Sequence, residues 1–254
     1  MSGRVAGTFF GSRLFDFLVF AAVFLALWQL AHEWGGDVAM TTPLDTLTFS
    51  VRTLFSAEFW PHAYATMRAF FIALILASSA GVLVGAVLGF HRLSGEVSEP
   101  ILVAVYSIPK VTLYPIILLF FGVGMAAEVA FGALHGIIPI ILFTMNAVRN
   151  IKPVYIKTAR VLQLEPWTLL RTVLLPATLP EVFTGLRVGF SLTLIGTLLS
   201  EMFGSRSGIG FQLMNAIGLH NMDIIMSLTF LLVAFAGTAN ALMLLVDHRL
   251  HRRV

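Results

Sequence analysis

Cysteine is absent from this sequence of 254 residues, and charged residues are scarce. Without cysteine the chain forms no disulfide, no thiolate metal site and no thiol nucleophile. Only 11% of its residues are charged and 58% are hydrophobic, whereas about a quarter of the residues of a soluble domain are charged. This composition indicates a membrane protein with little room for a soluble domain. The slight excess of basic residues does not indicate nucleic-acid binding, because these residues lie between apolar stretches, as membrane topology requires.

Six apolar stretches are long enough to cross a bilayer, since a spanning helix needs about 20 apolar residues. Three carry no charge, and the others carry only Asp16, Lys110 or Arg187. The first stretch can also be interpreted as a signal peptide, but it is long and no small-residue cleavage site follows it. The sequence therefore predicts an all-α membrane protein with six transmembrane helices. The stretches are Leu14–Ala31, Ala69–Phe90, Ile101–Gly124, Val129–Val148, Val182–Ser200 and Ile224–Val246.

Basic residues are concentrated on one side of this predicted topology. The opposite side has only Arg52 and Arg206 within loops, with Arg68 at the edge of a span. Because Lys and Arg are enriched in cytoplasmic loops, the bias predicts that both termini are cytoplasmic. The residues on the basic side are Arg4, Arg13, Arg92, Arg149, Lys152, Lys157, Arg160, Arg171, Arg249, Arg252 and Arg253.

The segment between the first two predicted spans, Thr41–Tyr64, is mixed in character. Leu44, Leu47 and Val51 recur at helical spacing, which is typical of an amphipathic helix on the outer membrane interface. A plain solvated loop fits the composition equally well. The second span carries Gly81, Gly85 and Gly89, a spacing that lets another helix approach closely.

The longest polar segment on the basic side runs from Arg149 to Pro180. Pro153 suits the first turn of a helix, and the residues from Val154 to Leu164 include no Gly or Pro. Pro166 should end that helix and can begin the next. From periodicity alone, this helix can either dock into a groove on a soluble partner or anchor the span ends at the membrane surface.

This segment resembles the EAA loop of ATP-binding-cassette importer permeases, whose pattern is Glu-Ala-Ala, three residues, Gly, nine residues and Ile-x-Leu-Pro. With Leu175 and Pro176 on the Leu-Pro, the Glu-Ala-Ala falls on Lys157, Thr158 and Ala159, and the Gly falls on Gln163. The clearest departures are Lys157, which cannot accept the hydrogen bonds of a Glu, and Gln163, which removes a turn position without a side chain.

The resemblance extends beyond this loop. Ser107–Gly124 resembles the third span of the nitrate/sulfonate/taurine group of these permeases, and Leu175–Gly210 resembles the fifth span with the motif after it. The match runs from about Thr66 to the C-terminus. It implies a type I importer permease in which residues 1–65 form an N-terminal span with a periplasmic interfacial segment. Residues 66–254 then form a five-helix core with a cytoplasmic coupling helix at about 153–165.

The resemblance also implies the function and the partners. The chain would be a permease subunit that forms the pathway for a small, anionic solute in the bacterial inner membrane, without a cofactor. Two cytoplasmic ATPase subunits, a periplasmic substrate-binding protein and a second permease copy would be its partners. The chain itself has no GxxxxGK[ST] motif, so ATP hydrolysis is expected in a partner. The residues that the resemblance assigns to ATPase coupling are Lys157, Thr158, Ala159, Arg160, Gln163 and Glu165.

Polar residues within the spans are candidates for the translocation pathway, because a charge in lipid is costly unless it faces a cavity or a partner. Lys110 can attract an anion, snorkel to the interface or pair with Glu201. Glu201 can be a gate residue or an interfacial charge. Hydroxyls such as those of Ser107 and Thr197 can contact a solute or bond neighbouring helices. The candidates are Ser107, Pro109, Lys110, Thr197 and Glu201, and no pair of His or carboxylate residues within a span has metal-ligand spacing.

An ion-coupled secondary transporter is the alternative function. That class normally requires carboxylates within the membrane and often has two similar halves. Here Glu201 is the acidic residue within reach, and no convincing repeat is found. The importer permease is therefore the favoured hypothesis.

Overall fold

A computed structural model describes residues 3–36 and 39–251 of the chain, and the regular structure of this part is helical. The irregular turns are a 3₁₀ turn at Lys110–Leu113 and a π-helical turn at Leu170–Leu174. Arg252 and Arg253, two of the basic residues used to predict the orientation, lie outside the described residues. The helices are α1 (Gly3–Gly35), α2 (Pro43–Phe55), α3 (Phe59–Phe90), α4 (Arg92–Ser107), α5 (Tyr114–Phe121), α6 (Met125–Arg149), α7 (Pro153–Val161), α8 (Pro166–Leu169), α9 (Leu175–Gly204), α10 (Ile209–Gly218) and α11 (Met222–His251).

The described residues contain five helical segments that are long and apolar enough to cross a membrane, and a sixth if one bent pair counts as a span. Counted in this way, the six predicted spans are confirmed. The bent pair is Arg92–Ser107 with Lys110–Phe121, which meet at 82°. The third span is therefore broken rather than straight. The break follows from Pro109, which has no N–H to donate and holds the preceding Ile108 in an extended conformation.

The segment before α3 is helical, so the loop interpretation of Thr41–Tyr64 is wrong for Pro43–Phe55. Thr42 caps α2, since its hydroxyl accepts a hydrogen bond from the Asp45 backbone N–H at 3.1 Å. Thr46 and Ser50 are buried on one face of this helix, and the apolar side chains are exposed on the other. This distribution suits a helix whose apolar face contacts lipid.

The described chain divides into two compact units. The first comprises Met1–Ser56 with Asn215–Leu232, and the second comprises Ala57–Met214 with Val233–Val254. Within the first unit, the Ser50 hydroxyl donates a hydrogen bond to the Thr46 carbonyl oxygen at 2.6 Å and lies 3.4 Å from the Ser227 carbonyl oxygen. Ser50 of α2 is thus in contact with Ser227 near the beginning of α11.

Helices α3, α6 and α9 form the core of the second unit. Phe70 on α3 and Phe190 on α9 pack edge to face, with ring centroids 5.0 Å apart. The glycines predicted as a packing stripe lie against α6, and a Cβ on Gly85 would lie 2.7 Å from the Ile141 carbonyl oxygen. The two backbones approach each other this closely only because the glycines have no side chain.

Gly85→Ala is therefore expected to destabilise the protein by about 1–3 kcal/mol, because the new methyl group would meet backbone atoms that cannot rotate away. Thermal unfolding of the purified protein in detergent measures the effect. Gly237→Ala on α11 is the matched control, since nothing lies within 4 Å of its Cβ position. The control should be neutral or more stable by up to about 1 kcal/mol. Equal melting of both variants would contradict close packing at Gly85.

Candidate functional site

The predicted coupling segment forms a short helix, α7, between the ends of two spans. Pro153 occupies the first turn, where its missing N–H has no helical partner to lose. The helix ends at Val161, four residues before the expected end at Glu165. Glu165 instead precedes α8, with Pro166 in the first turn of that helix. The segment is thus two short helices separated by a turn.

The turn after α7 is a Schellman motif centred on Gln163. The Gln163 N–H donates to the Arg160 carbonyl oxygen at 3.0 Å, and the Leu164 N–H donates to the Ala159 carbonyl oxygen at 3.1 Å. Gln163 has φ +51°, in the left-handed region that favours glycine. The turn that the family pattern builds with Gly is therefore kept here by a residue with a side chain. Hydrogen bonds within the segment hold this less favourable conformation.

Gln163→Gly is expected to stabilise the protein by about 1 kcal/mol, because glycine adopts this conformation without the cost of a Cβ. Gln163→Val should destabilise it, since a β-branched residue is a genuine outlier at positive φ. Thermal unfolding measures both changes, and hydrogen exchange at the Leu164 amide reports the turn itself. A glycine variant that melts below the valine variant would refute the assigned turn.

Burial divides the predicted coupling residues into two groups. Ala159 is only 4% exposed and packs within its own chain. An Asp at Ala159 would therefore disturb the segment itself, and exposed positions give a cleaner test of partner contact. The other predicted residues, Lys157, Thr158, Arg160, Gln163 and Glu165, are exposed. Large apolar side chains are also exposed in this segment, namely Val154 (56%), Val161 (82%), Leu162 (63%) and Trp167 (63%).

A cavity of about 910 Å³ lies beside α7, at the ends of α3 and α6 and the beginning of α4. Ile156 and Arg160 line it from α7. Arg149, the last residue of α6, forms an ion pair with Glu99 of α4 at 2.7 Å. The pair is half-buried and joins the two helices where the chain turns into α7. The pair therefore holds the end of α6 against α4 beside this cavity.

The predicted pathway residues Ser107, Pro109 and Lys110 lie together at the break of the third span. The Lys110 ammonium donates to the Tyr106 carbonyl oxygen at 3.2 Å and lies 4.4 Å from the centre of the Tyr106 ring. The Ser107 hydroxyl donates to the Val103 carbonyl oxygen at 2.9 Å. The suggested pairing of Lys110 with Glu201 does not occur.

Glu201 is fully buried and holds the turn after α9. Its Oε2 accepts hydrogen bonds from the Thr66 hydroxyl at 2.9 Å and from the Gly210 N–H at 2.8 Å. The Thr66 hydroxyl in turn accepts from the Ile209 N–H at 2.8 Å. A single carboxyl group thus connects α3, α9 and the beginning of α10. Sequence reasoning missed Thr66 because one polar residue near the end of a span gives no sign of its partner.

Thr197 is also fully buried. Its hydroxyl donates to the Thr193 carbonyl oxygen at 3.0 Å, and its side chain faces Gly132 of α6. Arg187, predicted as a snorkelling anchor, instead forms an ion pair with Asp247 of α11 at 3.4 Å. Across the described ranges, no cluster of three His, Cys, Asp or Glu side chains is placed to hold a metal ion.

Comparison with protein families matches residues 77–254 to the family described as binding-protein-dependent transport system inner membrane component. The chain is 30% identical to the riboflavin transport system permease protein of Chloroflexus aurantiacus, covering 79% of this chain and 76% of that protein. It is 26% identical to the nitrate import permease protein of Synechococcus elongatus, with coverages of 79% and 75%. It is 25% identical to the taurine transport system permease protein of Escherichia coli, with coverages of 67% and 62%.

Solved structures agree on the fold. An inward-facing form of the MetNI methionine ABC transporter contains a chain that matches this one with a TM-score of 0.57 at 19% identity. The match covers 84% of this chain and 99% of that chain. The chain therefore shares its fold with a chain of this ABC transporter.

Proposed function

Because the chain belongs to the family of binding-protein-dependent transport system inner membrane components, we propose that it forms the solute pathway of an ATP-driven importer for a small solute with an anionic head group. Membership makes it a transmembrane permease subunit of an ABC transporter, a multi-pass protein of the inner membrane. The predicted likeness to the nitrate, sulfonate and taurine group is confirmed by its relatives. The secondary transporter kept as an alternative has no support among them.

The family implies ATPase and substrate-binding partners. The segment formed by α7, the turn at Gln163 and α8 is our proposed ATPase contact. The observation that supports it most strongly is the exposure of Val161 and Leu162 next to the capped end of α7. Apolar side chains at this exposure on a short, hydrogen-bonded helix suit a groove on a soluble partner. The exposed polar residues of the segment, Lys157, Arg160 and Glu165, would form the rim of that contact.

The pathway residues divide by exposure. We assign direct solute contact to Ser107, Pro109 and Lys110, which lie at the break of the third span, where backbone that is not helical is tolerated beside a cavity. Thr197 and Glu201 are fully buried within the chain. We assign them to the wall of the pathway, where they hold the helices that line it.

Both termini are proposed to be cytoplasmic, with a second copy of the chain completing the pathway. The charge bias of the loops supports this orientation, since Arg149, Lys152, Lys157 and Arg160 all lie around α7. Hydrolysis of ATP would then occur in subunits docked on the side of α7. Closure of those subunits would move α7 and, through the Arg149–Glu99 pair, the span ends.

Uptake into proteoliposomes tests the proposed function. The permease is reconstituted with its ATPase and substrate-binding partners, and nitrate and sulfonates are supplied outside. We expect uptake that requires ATP and the binding protein and continues after the proton gradient is collapsed. Uptake abolished by that collapse while ATP is maintained would identify an ion-coupled transporter and overturn the proposal.

A further inference from the structure

A second cavity, of about 410 Å³, lies at the opposite end of the core from α7. We call it the outer pocket. Its volume suits a small solute, since ligand pockets usually enclose about 300–1,000 Å³. It is built where α3 and α6 begin and α9 ends, and it belongs entirely to the second unit. Its polar and charged lining residues are Tyr64, Arg68, Glu128, Ser205, Arg206 and Ser207.

Two arginines without a carboxylate partner line this pocket. Arg68 and Arg206 are exposed, and neither forms an ion pair with a carboxylate in the described part of the chain. A guanidinium group presents several N–H donors in a planar arrangement that matches the oxygens of carboxylate, sulfonate and phosphate groups. Two such groups lining one small pocket suit an oxyanion.

A carboxyl group lies deeper in the same pocket. Glu128, in the first turn of α6, is only 3% exposed, and Ser205 lines the same pocket. A buried carboxylate is costly unless a cation or several donors face it. The pocket therefore combines guanidinium groups at its exposed part with a carboxyl group at its buried part.

The positions of the arginines are unusual for the predicted topology. Basic residues are depleted on the outer side of inner-membrane proteins. Only Arg52, Arg68 and Arg206 were predicted on that side, and two of these three line one pocket. Membrane topology does not explain why these two arginines line the same pocket, whereas binding of an anionic ligand does.

We propose that the outer pocket receives the solute as a small zwitterion, with its oxyanion held by Arg68 and Arg206 and its ammonium group directed towards Glu128. This inference rests on the proposed function and names its substrate class more narrowly. The preference for a zwitterion arises in the permease itself, at its outer end. The broken third span would be the next contact along the pathway.

Equilibrium binding to the purified permease–ATPase complex in nanodiscs, without the binding protein, tests this site. The probe is radiolabelled 2-aminoethanesulfonate, and ethanesulfonate, which has the same anion but no ammonium group, is the competitor. The native complex should bind the amino compound at least about tenfold more tightly. Arg68→Gln and Arg206→Gln should each weaken both compounds at least about tenfold, because each removes a charged hydrogen bond. Arg52→Gln, an outer arginine that does not line the pocket, should change neither affinity.

Glu128→Gln should abolish the preference for the amino compound while keeping the affinity for ethanesulfonate, and that retained affinity shows that the variant is folded. Should Glu128→Gln fail to fold, the two arginine variants and the native preference still decide the question. Equal binding of the two compounds, no saturable binding at millimolar concentration, or arginine variants that bind like the native complex would each overturn the proposal. If any of these results is obtained while the proteoliposome assay still shows uptake driven by ATP, the importer function stands. Only the proposal that the outer pocket binds the solute is then rejected.

Discussion

Glu201→Ala is expected to destabilise the folded protein by about 3 kcal/mol. The substitution removes the acceptor for two buried donors, the Thr66 hydroxyl and the Gly210 N–H. Each buried donor left without a partner costs about 1–3 kcal/mol, and part of the cost for Thr66 is recovered when its hydroxyl rotates. Thermal unfolding of the purified protein measures the loss. The turn that begins α10 should open first, visible as faster hydrogen exchange at Gly210.

Glu201→Gln is the matched variant for this prediction. Its amide oxygen can accept both hydrogen bonds, because both donors bind the same carboxyl oxygen, Oε2. We therefore expect the glutamine variant to stay within about 1 kcal/mol of the native protein and to keep ATP-driven uptake. Loss of uptake in a glutamine variant of native stability would show that the charge of Glu201 acts in transport and would overturn the purely structural role.

Val161→Asp is expected to reduce substrate-stimulated ATP hydrolysis by the assembled importer at least about tenfold. Val161 is 82% exposed, so the substitution disturbs no packing within the chain. At a docked surface, however, an unpaired carboxylate must lose its water, and a loss of about 1.4 kcal/mol is already tenfold in affinity. Co-purification of the ATPase subunit measures assembly, and the rate of ATP hydrolysis measures coupling.

Leu93→Asp is the control for this second prediction. Leu93 is 73% exposed at the beginning of α4, so it places the same charge near the same ends of the spans but outside the α7–α8 segment. It should leave assembly and hydrolysis within about twofold of native. A Val161→Asp variant that assembles and hydrolyses ATP normally would exclude this surface as the docking site.

The proposed division between α7 and the outer pocket has a mechanical consequence. The two lie at opposite ends of the core formed by α3, α6 and α9. That core is closely packed, since glycines bring the helix backbones into contact. Closely packed helices move as rigid bodies rather than deforming. Under the proposed coupling, we therefore expect a displacement of α7 to move this core as a unit rather than to deform it.

The sequence by itself determined the class of the protein, the number of spans and the position of α7 along the chain. These features depend on local composition: hydropathy over about 20 residues defines a span, and Pro153 and Pro166 define where the short helices begin. The EAA-like register also located the turn at Gln163, although only the structure showed that glutamine adopts the left-handed conformation there.

Tertiary structure alone decided what the polar residues do. Glu201 and Thr66 are 135 residues apart in sequence, and no periodicity connects them. The burial of Ala159 and the pairing of Arg187 with Asp247 likewise depend on neighbours brought together by packing. Arg68, Glu128 and Arg206 lie on three separate segments and line one pocket only because α3, α6 and α9 pack through their glycines. Local pattern fixes where a helix lies along the chain, whereas the partners of a buried charge depend on contacts between distant segments.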